Sequence, residues 1–351
     1  MFFLLKRVTT FKIVTMAASV EEGVVDIFKD HFYDSGKVRV DGSTLKCWKA
    51  GGHGDQTFLQ VIENSCNPGF VKLGQLLGKE KLFSYINKFG FGSKTGIDLN
   101  GEGNGIIFPL NRVGNVELAT SAFGQGISVT PIQQVMAVSA VVNGGYLYKP
   151  YIVKSVSNNI DNVIYENNKV FKKQVISGKT SATMRYALES VVAKGGGKSA
   201  YIEGYRIGGK TGTAQKVENG QYLANNYIMS FMSVVPANDP QAVFYLAIDN
   251  PKNTAMLSSY TTTPIARRIL LDIIDSLGIE KQENEIKKDL EWNDKVTYEV
   301  PNVVGKSYEE AKKLLVNFEI VKSGTGNIVS FQSPKSGTII EDRSKIRLFM
   351  K

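Results

Sequence analysis

Apolar residues fall at helical spacing over residues 9–20, where Phe11, Ile13, Val14, Ala17 and Ala18 predict a largely buried helix followed by Gly23. Residues 41–54 are polar and glycine-rich and predict no regular element. A second helical pattern covers 57–62, and after Ser65-Cys66-Asn67-Pro68-Gly69 apolar spacing resumes at Phe70, Leu73, Leu76 and Leu77. Residues 90–130, rich in Gly, Asn and Thr, read as loops. Pro131 opens a helix with Val135, Val138, Val141 and Val142 that stops at Gly144-Gly145. Another helix is expected over 180–192, before Gly195-Gly196-Gly197.

The pattern then changes to that of strands. Residues 205–207 lead into Lys210-Thr211-Gly212-Thr213, and 228–235 and 242–248 are apolar and β-branched, with a turn at 236–240 between them. This order predicts an antiparallel meander. Thr263 as N-cap and Pro264 at the first helical position predict a helix through Ile265, Ile269, Ile273, Ile274 and Leu277, closed by Gly278. A highly charged linker or exposed helix follows over 281–298. In 299–351, Ser307 and Glu310 form a capping-box pair before a helix at 311–315, and short strands are expected near 320–321 and 345–349. The expectation is an α+β protein with a large domain over 1–280 and a small α+β module over 299–351.

With 351 residues and 42% apolar content, the chain can bury one large core plus that module. The net charge of +9 is scattered among acidic residues, which argues against nucleic acid as a partner. An anionic membrane surface or wall polymer fits the same charge. The two cysteines, Cys47 and Cys66, are too few for a disulfide framework, and the two histidines, His31 and His53, leave no His-rich metal site. The apolar run Met1-Phe2-Phe3-Leu4-Leu5 meets Lys6-Arg7 at once and is too short for a signal segment or membrane span.

Three short motifs carry chemistry. Penicillin-binding proteins and class A β-lactamases share S-x-x-K, S-D-N and K-T-G. This chain offers Thr9-Thr10-Phe11-Lys12, Ser65-Cys66-Asn67 and Lys210-Thr211-Gly212 in that order, the first residues 56 and then 145 positions apart. A hydroxyl and an amine three residues apart on a helix share one face, so a neutral lysine can take the hydroxyl's proton as it attacks a carbonyl. A second hydroxyl with an amide can relay a proton and hold a substrate backbone. Gly208, Gly209 and Gly212 would let a substrate peptide approach the strand, Lys210 and Thr211 would meet its carboxylate, and the Thr213 N–H would help form an oxyanion hole. Lys94-Thr95-Gly96 repeats the third triplet, but no strand precedes it, and it reads as loop.

On these motifs, and on stretches 90–99, 124–133 and 208–215, the chain resembles class B penicillin-binding proteins from about residue 9 to 277, and 300–351 resembles a PASTA module. The resemblance implies the penicillin-binding transpeptidase fold, an antiparallel sheet flanked by helices and here incomplete at its N-terminal strands. It implies a D,D-transpeptidase of the peptidoglycan of spore-forming bacteria, acting on D-Ala-D-Ala stem peptides and acylated by β-lactams. No cofactor is implied; other cell-wall synthesis proteins are possible partners. By the same resemblance, Lys12 is the base, Ser65 the proton relay, Asn67 a substrate-amide ligand, Lys210 an electrostatic tuner, and Thr211, Gly212 and Thr213 the substrate edge.

Two departures stand out. Thr9 occupies the nucleophile position usually held by serine, and its extra methyl restricts χ1 and crowds attack. The family's membrane anchor, N-terminal domain and first sheet strands are expected upstream of the motif, so the chain reads as N-terminally truncated, an impaired remnant that only binds peptidoglycan or β-lactam being the alternative to an enzyme. A β-lactamase or β-lactam sensor is disfavoured because those usually lack a PASTA module. Cys66, inside the second motif, is either a small buried residue or one half of a redox pair with Cys47.

Overall fold

A computed structural model describes residues 5–6, 9–160, 162–218, 221–252, 258–288, 297–341 and 343–351. Of the apolar run at the start, only Leu5 lies among them. The first apolar stretch forms a 3-10 turn over Thr9–Phe11 that continues as helix α1 (Lys12–Glu21), with residues 10–19 buried throughout. Apolar and small residues on every side of α1 suit a helix that runs through a core. Around it pack α2 (Phe58–Glu63), α3 (Asn67–Lys88), α5 (Pro131–Val142) and α6 (Gly178–Ala193), and α4 (Asn115–Ala122) lies against α3.

The predicted meander is a three-stranded antiparallel sheet of β11 (Gly208–Glu218), β12 (Gln221–Val235) and β13 (Ala242–Asp249), in that order. Alternate residues of β12 serve two cores, as a period of two requires. Ile228, Met232 and Val234 join the core around α1. Phe231 and Val235 join a second core with Ala266, Leu270 and Ile274 of α7 (Ser258–Leu277). Helices therefore cover both faces of the sheet, as the α+β expectation required.

Gly209 marks how tightly this sheet is packed. A Cβ there would lie 2.4 Å from Phe231 Cζ and 2.8 Å from the Met232 carbonyl oxygen. Gly209→Ala is therefore expected to destabilise the domain by about 1–3 kcal/mol, seen as a Tm several degrees lower in thermal unfolding. An unchanged Tm would show that the strand shifts freely.

Several elements differ from the sequence reading. The stretch before α2 folds into four short strands: β2 (His31–Asp34) pairs with β5 (Gly54–Thr57), and β3 (Lys37–Val40) with β4 (Ser43–Lys46). The β3–β4 turn is Asp41-Gly42, with φ of 44° and 78°, a two-residue hairpin turn of the kind Asp-Gly favours. Within the expected loop region, α4 forms because Glu117 reaches back to accept the Gly114 N–H at 3.0 Å. Pro264 lies inside α7 instead of opening it; the helix starts at Ser258, where Thr262 and Thr263 hydroxyls donate to the Ser258 and Ser259 carbonyls at 3.0 and 2.6 Å. Short pairs also join β1 (Leu5–Lys6) to β6 (Ser128–Val129), β7 (Tyr146–Tyr148) to β10 (Phe171–Gln174) and β8 (Ser155–Ser157) to β9 (Val163–Glu166).

The charged stretch after α7 begins as packed structure. Glu285 is buried and accepts the Gly204 N–H at 3.3 Å, and the Ile286 N–H donates to Glu189 at 2.9 Å. Residues 289–296 lie outside the described residues. In the C-terminal module, β15 (Glu319–Ser323) runs parallel to β18 (Lys345–Met350), which pairs antiparallel with β16 (Val329–Ser333). A ribbon of β14 (Thr297–Glu299) and β17 (Ile339–Glu341) and helix α8 (Tyr308–Leu314) complete it. The Ser307–Glu310 capping box is present, and Val300, Val303, Ala311, Leu315, Ile346 and Leu348 form the module's core. No helix among the described residues is long and apolar enough to cross a membrane.

Candidate active site

The three motifs converge on one cleft of about 780 Å³, part of it open to solvent, lined among others by Thr9, Lys12, Ser65, Asn67, Thr211 and Thr213. They come from several elements, with Thr211 and Thr213 both on β11. The 3-10 turn presents Thr9, and the first turn of α1 buries Lys12 completely. The turn between α2 and α3 carries Ser65 at φ 54°, the left-handed region, which a non-glycine residue enters at a cost of about 1 kcal/mol. That conformation closes α2, with the Ser65 N–H donating to the Ile62 carbonyl and the Cys66 N–H to Val61. It also turns the Ser65 carbonyl and hydroxyl towards Lys12.

The Lys12 ammonium donates to the Ser65 carbonyl at 2.7 Å, Ser65 Oγ at 3.1 Å and Asn67 Oδ1 at 2.7 Å, and it lies 5.2 Å from the centre of the Phe70 ring. Burial lowers the Lys12 pKa to about 8, with Cys66 and Cys47 opposing that shift. Asn67 is held from its other end, donating to the Lys46 carbonyl at 3.1 Å. Lys210 is also fully buried, and its Nζ donates to the Thr211 carbonyl at 3.0 Å. Burial, and after it the charge on Lys12, push Lys210 well below the usual lysine range. Two ammonium groups in one buried region disfavour each other's charge.

The strand differs from the sequence expectation in two ways. Lys210 is not among the cleft-lining residues, so its side chain acts beneath the strand towards Lys12, while Thr211 and Thr213 face the cleft. The glycines make room for the protein itself instead of for a substrate. A Cβ at Gly208 would meet Ala237 and Leu188 at 3.3 Å, and one at Gly212 would lie 2.5 Å from Ser230 Oγ and 3.2 Å from Thr10 Cγ2. Gly212 thus seats the 3-10 turn against β11. A free sheet edge comes from topology: among the described residues, β11 pairs only with β12.

Thr9 Oγ1 donates to the Thr213 carbonyl at 3.0 Å, while the hydrogen bonds of Lys12 go to Ser65 and Asn67. Thr10 is turned away and donates to Gln134 at 3.3 Å. Lys94-Thr95-Gly96 is a loop, with the Glu102 carboxylate accepting the Thr95 and Gly96 N–H groups at 2.6 and 3.0 Å.

Sequence reading missed several cleft residues. Ser258 and Ser259 at the start of α7 line it; Ser258 Oγ lies 2.8 Å from Thr213 Oγ1 and also donates to the Gly212 carbonyl. Trp48 closes one wall, and its Nε1 donates to the Asn64 carbonyl at 2.7 Å. The Ser-Ser pair was legible once α7 was known to begin six positions before Pro264; nothing in the sequence placed Trp48.

Beside the cleft the fold assembles a second group that neither the two-histidine count nor the cysteine count suggested. Asp34, Cys47, His53 and Cys66 bring their donor atoms within 4.8 Å of one another. Asp34 Oδ2 lies 2.9 Å from His53 Nδ1 and accepts from Cys66 Sγ at 3.2 Å; Cys47 Sγ lies 3.4 Å from His53 Nδ1. Both cysteines are free thiols. Burial works to raise the Asp34 carboxyl, but hydrogen bonds from His53, Cys47, Gly36 and Cys66 outweigh it and hold the group below its ordinary range. A hydrogen bond from Cys66 draws the Cys47 thiol down, and burial pushes Cys66 up. Two sulfurs, one imidazole and one carboxylate are the donors of a four-coordinate zinc-type site.

Comparison with known proteins identifies two domain families that together cover most of the chain. Residues 9–271 match the penicillin binding protein transpeptidase domain, and 298–351 match the PASTA domain. The chain is 56% identical over 343 residues to stage V sporulation protein D of Bacillus subtilis, covering 97% of this chain and 53% of that protein. The chain therefore spans about half the length of the curated relatives it matches. Penicillin binding protein 3 of Mycobacterium tuberculosis, solved with aztreonam, superposes with a TM-score of 0.73 at 26% identity, over 82% of this chain and 66% of that one. The transpeptidase domain of Burkholderia pseudomallei penicillin-binding protein 3 gives 0.72 at 25% identity, over 80% and 82%. The chain belongs to the class B penicillin-binding transpeptidase family and carries a PASTA module at residues 298–351.

Proposed function

We propose that this chain forms a D,D-transpeptidase site that takes the acyl group of D-Ala-D-Ala stem peptides and cross-links peptidoglycan, in the wall of the forming spore, and that β-lactams acylate the same residue. The observation that carries the reading is the enclosure of Lys12 by Ser65 Oγ at 3.1 Å and Asn67 Oδ1 at 2.7 Å, in one cleft with Thr9 and the free edge of β11. Neutral Lys12 takes the proton of Thr9 Oγ1 as that oxygen bonds to the donor carbonyl carbon. The Thr9 and Thr213 N–H groups receive the developing oxyanion. The C–N bond to the terminal D-Ala breaks, its amine receives the proton through Ser65, and an acceptor amine later replaces Thr9 on the acyl carbon. Asn67 holds the peptide amide, and Thr211, Thr213 and Ser258 offer hydroxyls to its carboxylate. Lys210 shares that buried region, where burial and the charge on Lys12 disfavour its own ammonium, and it tunes the electrostatics around the base.

The ammonium form of Lys12 cannot act as base, so activity follows its deprotonation. With Lys12 at about 8, acylation is expected to rise with pH from 6, reach half its maximum near 8 and level off above about 9. Rates of labelling by a fluorescent penicillin across that range measure this, and a flat profile would assign the base elsewhere.

One observation favours a second reading, a chain that holds wall peptide or β-lactam without reacting: the Thr9 hydroxyl donates to the Thr213 carbonyl instead of facing Lys12. A covalent penicillin adduct mapped to Thr9 supports the enzyme. Binding without an adduct supports the second reading.

A further inference from the structure

We propose that Gly196, in the turn after α6, sets the size of the donor's last residue: the notch it leaves beside Thr211 takes the methyl group of a C-terminal D-alanine. The inference rests on the reading of the cleft as the site of a D-Ala-D-Ala donor. Three glycines stand in succession in this turn, and packing alone explains two of them. A Cβ at Gly195 would lie 2.6 Å from the Glu63 carbonyl oxygen and 2.8 Å from its Cα. One at Gly197 would lie 3.0 Å from Val192 Cα and 3.1 Å from the Val191 carbonyl oxygen. Gly196 is different. Its Cβ would meet only Thr211 Oγ1 at 3.4 Å and the Glu63 carbonyl oxygen at 3.9 Å, both ordinary contacts. None of the three has a left-handed φ, so the backbone does not call for glycine at 196 either. What a side chain there would take away is space in the cleft, whose wall Gly196 forms together with Glu63, Asn64 and Thr211.

That wall is held in place by its backbone. The Gly196 N–H donates to the Glu63 carbonyl at 3.2 Å, and the Gly195 and Gly197 N–H groups both donate to the Val191 carbonyl, at 3.1 and 3.0 Å. On the far side of the turn the Ala200 N–H donates to the Gly197 carbonyl at 2.8 Å. A turn tied at both ends keeps the notch at one size, as a pocket that selects by shape requires. The polar partner of the notch is the Thr211 hydroxyl. Among the described residues no hydrogen bond engages that hydroxyl, whereas Thr213 Oγ1 is shared with Ser258 at 2.8 Å. A terminal carboxylate bonded to Thr211 Oγ1 at about 2.8 Å brings its own α-carbon within about 5 Å of that oxygen. The substituent on that carbon, the methyl that distinguishes D-alanine from glycine, then lies within reach of position 196. One methyl group fitted or refused by an apolar wall is worth about ten- to a hundredfold in selectivity.

The test uses the full chain with Thr9→Ala, which forms no acyl bond at that residue, so that binding is read without chemistry. Two peptides, N-acetyl-L-lysyl-D-alanyl-D-alanine and N-acetyl-L-lysyl-D-alanyl-glycine, are titrated and followed by their own NMR signals. With Gly196→Val added, the Kd of the D-alanine peptide is expected to rise by about tenfold or more, while that of the glycine peptide changes by less than about threefold. Gly196→Ala should move the ratio in the same direction by less. It carries the comparison if thermal unfolding shows that the valine chain does not fold. An equal change for the two peptides, an unchanged ratio, or no binding of either peptide overturns the inference. Penicillin labelling of the threonine chain tests the chemistry separately. Selectivity without an adduct refutes the transpeptidase reading and leaves the notch standing, and labelling without selectivity refutes the notch alone.

Discussion

Lys12→Met, made in a Thr9→Ser chain so that labelling starts high, is expected to lower the rate of covalent penicillin labelling by about a thousandfold. Methionine keeps most of the side-chain volume and removes only the amine. The fold should survive, because the change takes a fully buried ammonium out of the core and leaves Ser65 Oγ and Asn67 Oδ1 within reach of cleft water. Thermal unfolding separates a lost base from a lost fold. Labelling within tenfold of the parent, in a chain that melts at the parent temperature, would remove Lys12 from the reaction.

Thr9→Ser is expected to raise labelling by about ten- to a hundredfold. The physical reason is the γ-methyl. Threonine at this position holds its hydroxyl on the Thr213 carbonyl, and turning it towards Lys12 swings the methyl into the space between the turn and β11. Gly212 leaves little room there, since the neighbouring Thr10 already stands 3.2 Å from where its Cβ would be. Serine rotates freely and gives the base its proton. Intact-mass spectrometry after a timed penicillin pulse measures the gain, with Thr9→Ala as the unlabelled control. Equal rates for the threonine and serine chains would show that the methyl is accommodated.

How much of this was legible in the sequence depended on the range of the forces involved. Elements fixed by local pattern were readable: the buried α1 from its all-round apolar spacing, α5 from Pro131, the meander from two apolar, β-branched runs after the Lys210 motif, and the Ser307–Glu310 cap. The Asp41-Gly42 hairpin carried a local signal that the surrounding polar residues hid. The start of α7 was misplaced because proline is favourable at a first helical position, whereas here it stands seventh in the helix and removes only the N–H meant for the Tyr260 carbonyl. Motif order named Thr9, Lys12, Ser65, Asn67 and Thr211, and all of these line the cleft. Sequence could not show that Lys210 lies beneath the strand, that Ser258 joins the cleft, or that Asp34 and His53 meet the two cysteines. Those facts are set by contacts across dozens of positions, such as the separation of 32 positions from Asp34 to Cys66.

The turn from Asn64 to Asn67 has a consequence of its own for how this protein can change. Three successive positions point to two different centres: Ser65 and Asn67 to Lys12, and Cys66 between them to Asp34. The length of this turn therefore acts as an index. Insertion or loss of a single residue would hand the thiol to the lysine and a hydroxyl or amide to the sulfur-rich cluster, disabling both centres in one step. Exposed hairpins such as β8–β9 can vary in length without touching either. In natural variants of this chain, length changes should collect in such hairpins, and the span between Pro68 and the end of α2 should stay fixed even where its residues differ.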